Sequence, residues 1–230
     1  MSAQQFPASH LAGIQTEFRR PLRIFLPTLY RHMEAAFIEA FSKEGSIRLS
    51  CFAQFAQHKD EPRKDREEGH ALHVLNDPKN DRHVSFYTMT GSNAYILSAT
   101  SRTGPDIVEA FGPDRLEIVE PVEFCAEIAN EIPGCQTAMI SQCLYADNRV
   151  LETVGTAPTI DDLKSDTEPD KVSLEKVMAQ GKDLQGPKQY FLKSREHEAQ
   201  SEYRFVWETN RSVKEPLIIT APNLRRYCNL

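Results

Sequence analysis

Apolar positions along this chain change period several times, and each change marks an expected element. Residues 22–31 are apolar but interrupted by Pro27, which predicts an extended entry and a short strand ending at Tyr30-Arg31. Met33, Phe37, Ala40 and Phe41 then recur at helical spacing, and Gly45 supplies a stop. From Ile47 the period becomes that of a half-buried strand. Ile47, Leu49 and Cys51 share one face, and Arg48, Ser50 and Phe52 share the other. Residues 58–69 are almost wholly charged and read as a solvated loop or a short exposed helix.

HALHVL, HVSFYTM and NAYILSAT are further strands, with Thr90, Gly91, Ser92 and Asn93 expected to join the last two as a hairpin. A short helix between Gly104 and Gly112 and a strand over LEIVEP follow, and Phe124, Ile128 and Ile132 return to helical spacing. CQTAMISQCLY and RVLETVG predict a second hairpin about residues 146–149, TIDDLKSDTEPDK an exposed connection, and LEKVMAQ a helix. The closing block, YFLKSREHEAQSEYRFVWET and PLIITAP, supplies further strands. In EYRFVWE the aromatic residues Tyr203, Phe205 and Trp207 share a core-facing side, while Glu202, Arg204, Val206 and Glu208 share the other. Strands joined largely as hairpins and interleaved with helices predict an α+β fold with mostly antiparallel sheets in a single domain.

Composition narrows the function classes. With 40% hydrophobic residues in a chain of 230, a core needs no disulfide or metal staple. A formal net charge of −6 disfavours whole-chain affinity for a nucleic acid backbone and leaves room only for a local basic groove. The five cysteines are widely spaced without a C-x-x-C pair, as expected of reduced, mostly buried thiols in a cytosolic protein. The first residues lack the pattern of a signal peptide, and no apolar run is long enough to span a bilayer, so the expectation is a soluble cytoplasmic protein without a membrane partner. The dinucleotide G-x-G-x-x-G, the P-loop and the nucleophile elbow G-x-S-x-G are absent. His70 and His73, with His58 and His83 nearby, would point to opposite faces of a strand, a poor chelating geometry, and no metal is expected.

Two positions carry more chemistry. Arg31, beside Tyr30 at the end of an apolar strand, offers a bidentate fork to a pyrophosphate, or else an ordinary strand-end ion pair. Glu202 stands on a strand anchored by Tyr203, Phe205 and Trp207 and can be held beside a ribose, or else pair with Arg204 on the surface. Ser50 in RLSCF and Ser98 in ILSATS offer strand hydroxyls that can orient a ribose or an amide.

The order of LYRH, IRLSCFAQF, DEPRKDREEG, AYILSATS, AFGPDRLEIVEPVEFCAEI, YFLKS, SEYRFVW and PLIITAPNL resembles a widespread prokaryotic and phage family of uncharacterised proteins. The resemblance spans roughly residues 22–226. That family is distantly similar to ADP-ribosyltransferases, which implies a two-sheet core with flanking helices and NAD as substrate. Carried over, Glu202 would be the catalytic glutamate, Arg31 would hold the NAD phosphates, and Tyr30, Ser98 and Ser50 would line the pocket. The acceptor would be a protein or a nucleic acid, and the role that of a toxin, an anti-phage protein or a phage-encoded effector. Against the transferase pattern, ILSATS lacks a Ser-Thr-Ser triplet, and Gln200 stands where a Glu-x-Glu pair would have its first glutamate. A non-catalytic binding or accessory module on the same scaffold is the other expectation.

Overall fold

The computed structural model describes residues 26–52, 69–155, 158–168, 170–184 and 187–230, with two short paired strands, β1 (Gln4–Gln5) and β2 (Glu17–Phe18). The charged stretch through residues 58–68 lies outside the described residues. The fold is mixed α+β with mostly antiparallel sheets.

Its centre is an eight-stranded sheet. Strand β7 (Ala94–Thr100) lies in the middle, antiparallel to β13 (Glu202–Thr209) along its whole length. On its other edge β7 meets β4 (Ser46–Cys51) at Tyr95 and Ile96, and β3 (Leu29–His32) at Thr100. Strands β8 (Arg115–Ile118), β15 (Cys228–Asn229), β14 (Leu217–Thr220) and β9 (Cys135–Gln142) complete it.

The alternation read from the sequence decides which side becomes core. Tyr95, Leu97 and Ala99 of β7, Phe205 and Trp207 of β13, Ile47, Leu49 and Cys51 of β4, and Leu116 and Ile118 of β8 all fall on one face. Against them pack Phe41 of helix α1 (Ala35–Glu44) and Phe124, Cys125 and Ile128 of helix α3 (Pro121–Glu131). Phe205 stacks on Trp207 at 6.0 Å and meets Phe124 edge-on at 5.6 Å, and the Trp207 indole donates to the Cys125 carbonyl at 3.0 Å. Helix α1 ends at Gly45, whose φ of +69° favours glycine. A Cβ there would lie 2.2 Å from the Ala221 carbonyl oxygen, so this turn is also a point of close packing. Helix α2 (Pro105–Phe111) starts, like α3, with proline in its first turn.

The opposite face of the central sheet is covered by a strap, residues 187–200. It comprises a 3-10 helix (Pro187–Phe191), the short strand β12 (Leu192–Ser194) and a second 3-10 helix (Arg195–Gln200). Tyr190 and Phe191 of the strap pack with Phe52, Ala94, Ile96 and Val206 in a smaller second core.

Strands β5 (His70–Asp77), β6 (Arg82–Met89) and β11 (Val150–Val154) form a separate three-stranded sheet in the order β11-β5-β6. Both expected hairpins are replaced. β6 pairs with β5 through a turn whose Asn80 side chain binds the Asp77 carboxylate at 2.7 Å, and Thr90 to Asn93 lead from one sheet to the other. β9 pairs with β13, β10 (Leu144–Ala146) runs parallel to β12, and β11 runs parallel to β5. Good turn residues permit a reversal, but the partner of each strand is set by non-local burial. The expected exposed connection contains a short helix, α4 (Ile160–Leu163), held by a capping box between Thr159 and Asp162. It leads to helix α5 (Leu174–Leu184). Within the strap only Leu192–Ser194 is a strand. Among the described residues no helix is long and apolar enough to cross a membrane, and all five cysteines are free thiols.

Candidate functional site: a buried ion cluster beside a split sheet edge

The strand register assigns each expected site residue to a face. Tyr30 lies opposite Thr100, and Thr100 lies opposite Glu202, so the three project to the same side. Ser98 lies opposite Arg204, and Ser50 lies opposite Ile96, which adds Ser98 and Ser50 to that side. Arg31 pairs with Leu116 and starts from the other face, the side of the main core.

Arg31 nevertheless reaches this group. β4 leaves β7 after Ile96 and β3 joins it at Thr100, so the edge of β7 opens at Ser98. The Arg31 guanidinium enters that opening and donates to the Ser98 carbonyl at 2.8 Å. On the strap side the Ser98 hydroxyl donates to Glu202 Oε1 at 2.7 Å. A continuous hydrogen-bonded path thus joins Arg31, Ser98 and Glu202, which are far apart in sequence. Tyr30 and Ser50 flank it, and Arg115 sits 5.1 Å from the centre of the Tyr30 ring.

Glu202 is only 6% exposed, and neighbouring groups occupy both its oxygens. Arg204 Nε donates to Oε1 at 2.8 Å, and the Lys193 ammonium donates to Oε2. Lys193, itself buried in β12, also donates to Gln200 Oε1 at 2.8 Å. Arg204, 1% exposed, sends NH1 to the Tyr190 carbonyl at 2.6 Å. The Glu202 backbone N–H donates to the Tyr145 hydroxyl at 2.7 Å. Burial alone would raise the pKa of the Glu202 carboxyl, but the Arg204 and Lys193 charges and hydrogen bonds outweigh it and hold the group well below the usual carboxylate range. Burial pushes the Tyr145 phenol above its ordinary value.

Lys193, Tyr145 and the Tyr190 carbonyl had no signal in the sequence, because each reaches Glu202 or Arg204 only through the folding of the strap and of β10 against this sheet. Gln200, singled out in the sequence as a departure from Glu-x-Glu, accepts from Lys193 instead. The Glu202–Arg204 pair, one of the two alternatives the sequence offers, does form, but buried rather than on the surface. A shallow hollow lined by Pro222, Asn223, Arg225 and Arg226 contains none of these residues. Among the described residues no cluster of metal-ligating side chains is found.

Chemically, the arrangement holds a glutamate ionised and immobile under two cations. Catalysis at a ribose needs a carboxylate that meets the sugar, and here the strap stands between Glu202 and solvent. Comparison with known proteins gives no matching family model, no matching curated protein and no matching solved structure.

Proposed function

We propose that this chain is a non-catalytic binding module on an α+β scaffold, with Glu202 as its internal anchor rather than a reacting group. The observation that carries this reading is the occupation of both Glu202 oxygens beneath the strap. Exposing the carboxylate means lifting Lys193 together with Tyr190, Phe191 and Leu192, which are 4%, 5% and 3% exposed. Uncovering three such side chains costs about 5–9 kcal/mol. A ligand bound at micromolar affinity gains about 8 kcal/mol, so opening would consume nearly all of it. The half of this face beside the strap, with half-exposed Tyr30, Ser50 and Ser98, is the surface left to meet a ligand.

The second reading is an NAD-dependent ADP-ribosyltransferase-like activity toward a protein or nucleic acid acceptor, with a toxin-like or anti-phage role. One specific observation favours it: Arg31, Ser98 and Glu202 form a single hydrogen-bonded path. Nicotinamide release from NAD, measured with cell extract as acceptor, separates the two. Wild type is expected to release none above a protein-free control, and calorimetry with NAD then asks whether the nucleotide binds without being cleaved. Release by wild type that is lost in folded Ser98→Ala and Glu202→Gln proteins would overturn the binding-module reading and establish the transferase.

A further inference from the structure

The strap has a second buried polar contact, remote in role from Glu202. Gln189, the residue before Tyr190, is fully buried, and its amide nitrogen meets both His73 Nε2 of β5 and the Thr88 hydroxyl of β6. His73 and Thr88 are 3% and 7% exposed, and Thr88 in turn donates to the Ala71 carbonyl at 3.4 Å. Gln189 Oε1 has no partner among the described residues. This joint links the inner face of the three-stranded sheet to the strap, which packs on the central sheet through the adjacent Tyr190 and Phe191.

As placed, the amide NH2 donates to Nε2, so the neutral ring carries its proton on Nδ1. A second proton must then arrive at Nε2, the nitrogen that faces the Gln189 donor. Turning the amide over would offer an acceptor, but the ring would still hold a buried charge with no counter-ion among the described residues. On β5 the inward-facing acid is Asp77, about 13 Å along the strand from His73. Its carboxylate is engaged by Asn80 and Arg82. β6 presents Phe86 and Thr88 inward, and β11 sets Leu151 opposite His73 while Glu152 points outward. From the strap, Lys188 is exposed and the Tyr190 hydroxyl is bound to Glu208. Helix α5 approaches Phe86 through Gly181. Burial is accordingly what lowers the His73 pKa.

We propose that the His73–Gln189–Thr88 joint is an acid-sensitive clasp that holds the three-stranded sheet to the strap only while the His73 ring is neutral. The sheet then loosens in mild acid, before the central sheet, because the latter owes nothing to this histidine. The proposal does not depend on the nature of the ligand.

Hydrogen–deuterium exchange of the full chain at about pH 7.5 and about pH 5, expressed as protection relative to intrinsic rates, tests it across the histidine range. Protection over His70–Asp77 and Arg82–Met89 is expected to fall at least about tenfold at the lower pH, with β7 and β13 unchanged, and His73→Gln is expected to abolish that pH dependence. Equal protection at both pH values, or an undiminished loss in His73→Gln, would overturn the clasp. Should that variant not fold, the wild-type His73 ring resonance gives the answer. It is expected to titrate below about pH 6.5, together with loss of β6 amide signals, and titration uncoupled from those amides would refute the proposal.

Discussion

At the scale of single residues, the decisive fact is that Glu202 faces two cations and a hydroxyl in a space closed to water. Removing one partner of a buried ion pair leaves the others uncompensated, which typically costs about 3–5 kcal/mol. Glu202→Gln is therefore expected to lower unfolding stability by about 3 kcal/mol or more, read from urea midpoints at unchanged slope. A loss below about 1 kcal/mol would mean that the cluster is solvated and that Glu202 is not an anchor. Of the expected site residues, Ser98 has the most informative position. Its carbonyl satisfies Arg31 through the split sheet edge, and its hydroxyl satisfies Glu202 on the strap side. The identity of such residues was legible from their setting in EYRFVW and ILSATS. Their mutual contact was not, because it depends on the pairing of β7 with β13.

At the scale of elements, the strap is core rather than lid. Phe191 packs in the second cluster with Phe52, Ile96 and Val206, and Lys193, two residues on, caps Glu202. Phe191→Ala is expected to destabilise the protein by about 3–5 kcal/mol, because a buried aromatic is lost and the sheet beneath cannot collapse into its place. Chemical denaturation measures this directly. A loss under about 1 kcal/mol would show that the strap is loosely held, and would remove the energetic objection to an openable Glu202. Most strands and helices were marked in the sequence by period and glycine stops, whereas helix α4 and the 3-10 turns of the strap were not. Hairpin partners were not, since Thr90 to Asn93 and residues 146–149 carry good turn residues yet lead to strands in other sheets.

At the scale of the whole molecule, two buried groups give stability the same pH dependence in separate windows. The His73 pKa is lowered on folding, so the unfolded chain binds more protons once pH falls below about 6.5, and stability declines from there toward the folded value. The Glu202 pKa is also lowered, so its contribution is complete above about pH 4.5 and is lost as pH falls further. Urea midpoints are expected to decrease in two steps from pH 7 downward. The upper step should vanish in His73→Gln, and the lower step should shrink in Glu202→Gln. A midpoint independent of pH between about 7 and about 4.5 would contradict the His73 assignment, and one that is flat from about 4.5 down to about 2 would contradict the Glu202 assignment.

The sequence by itself determined the mixed α+β class with mostly antiparallel sheets, most of the elements and the faces of the central strands. Those features follow from local periodicity and from the chemistry of proline and glycine, which act within a few residues of themselves. It also marked Glu202 and Arg31 as unusual on strands so rich in apolar neighbours. Only the tertiary structure decided that the Glu202 side is buried, that Lys193 and Tyr190 cover it, and that Arg31 approaches Ser98 from the opposite face. Alternation along a strand separates two faces without saying what will cover either. That answer comes from the parallel pairing of β10 with β12 and the packing of the strap, interactions between segments that share no local signal.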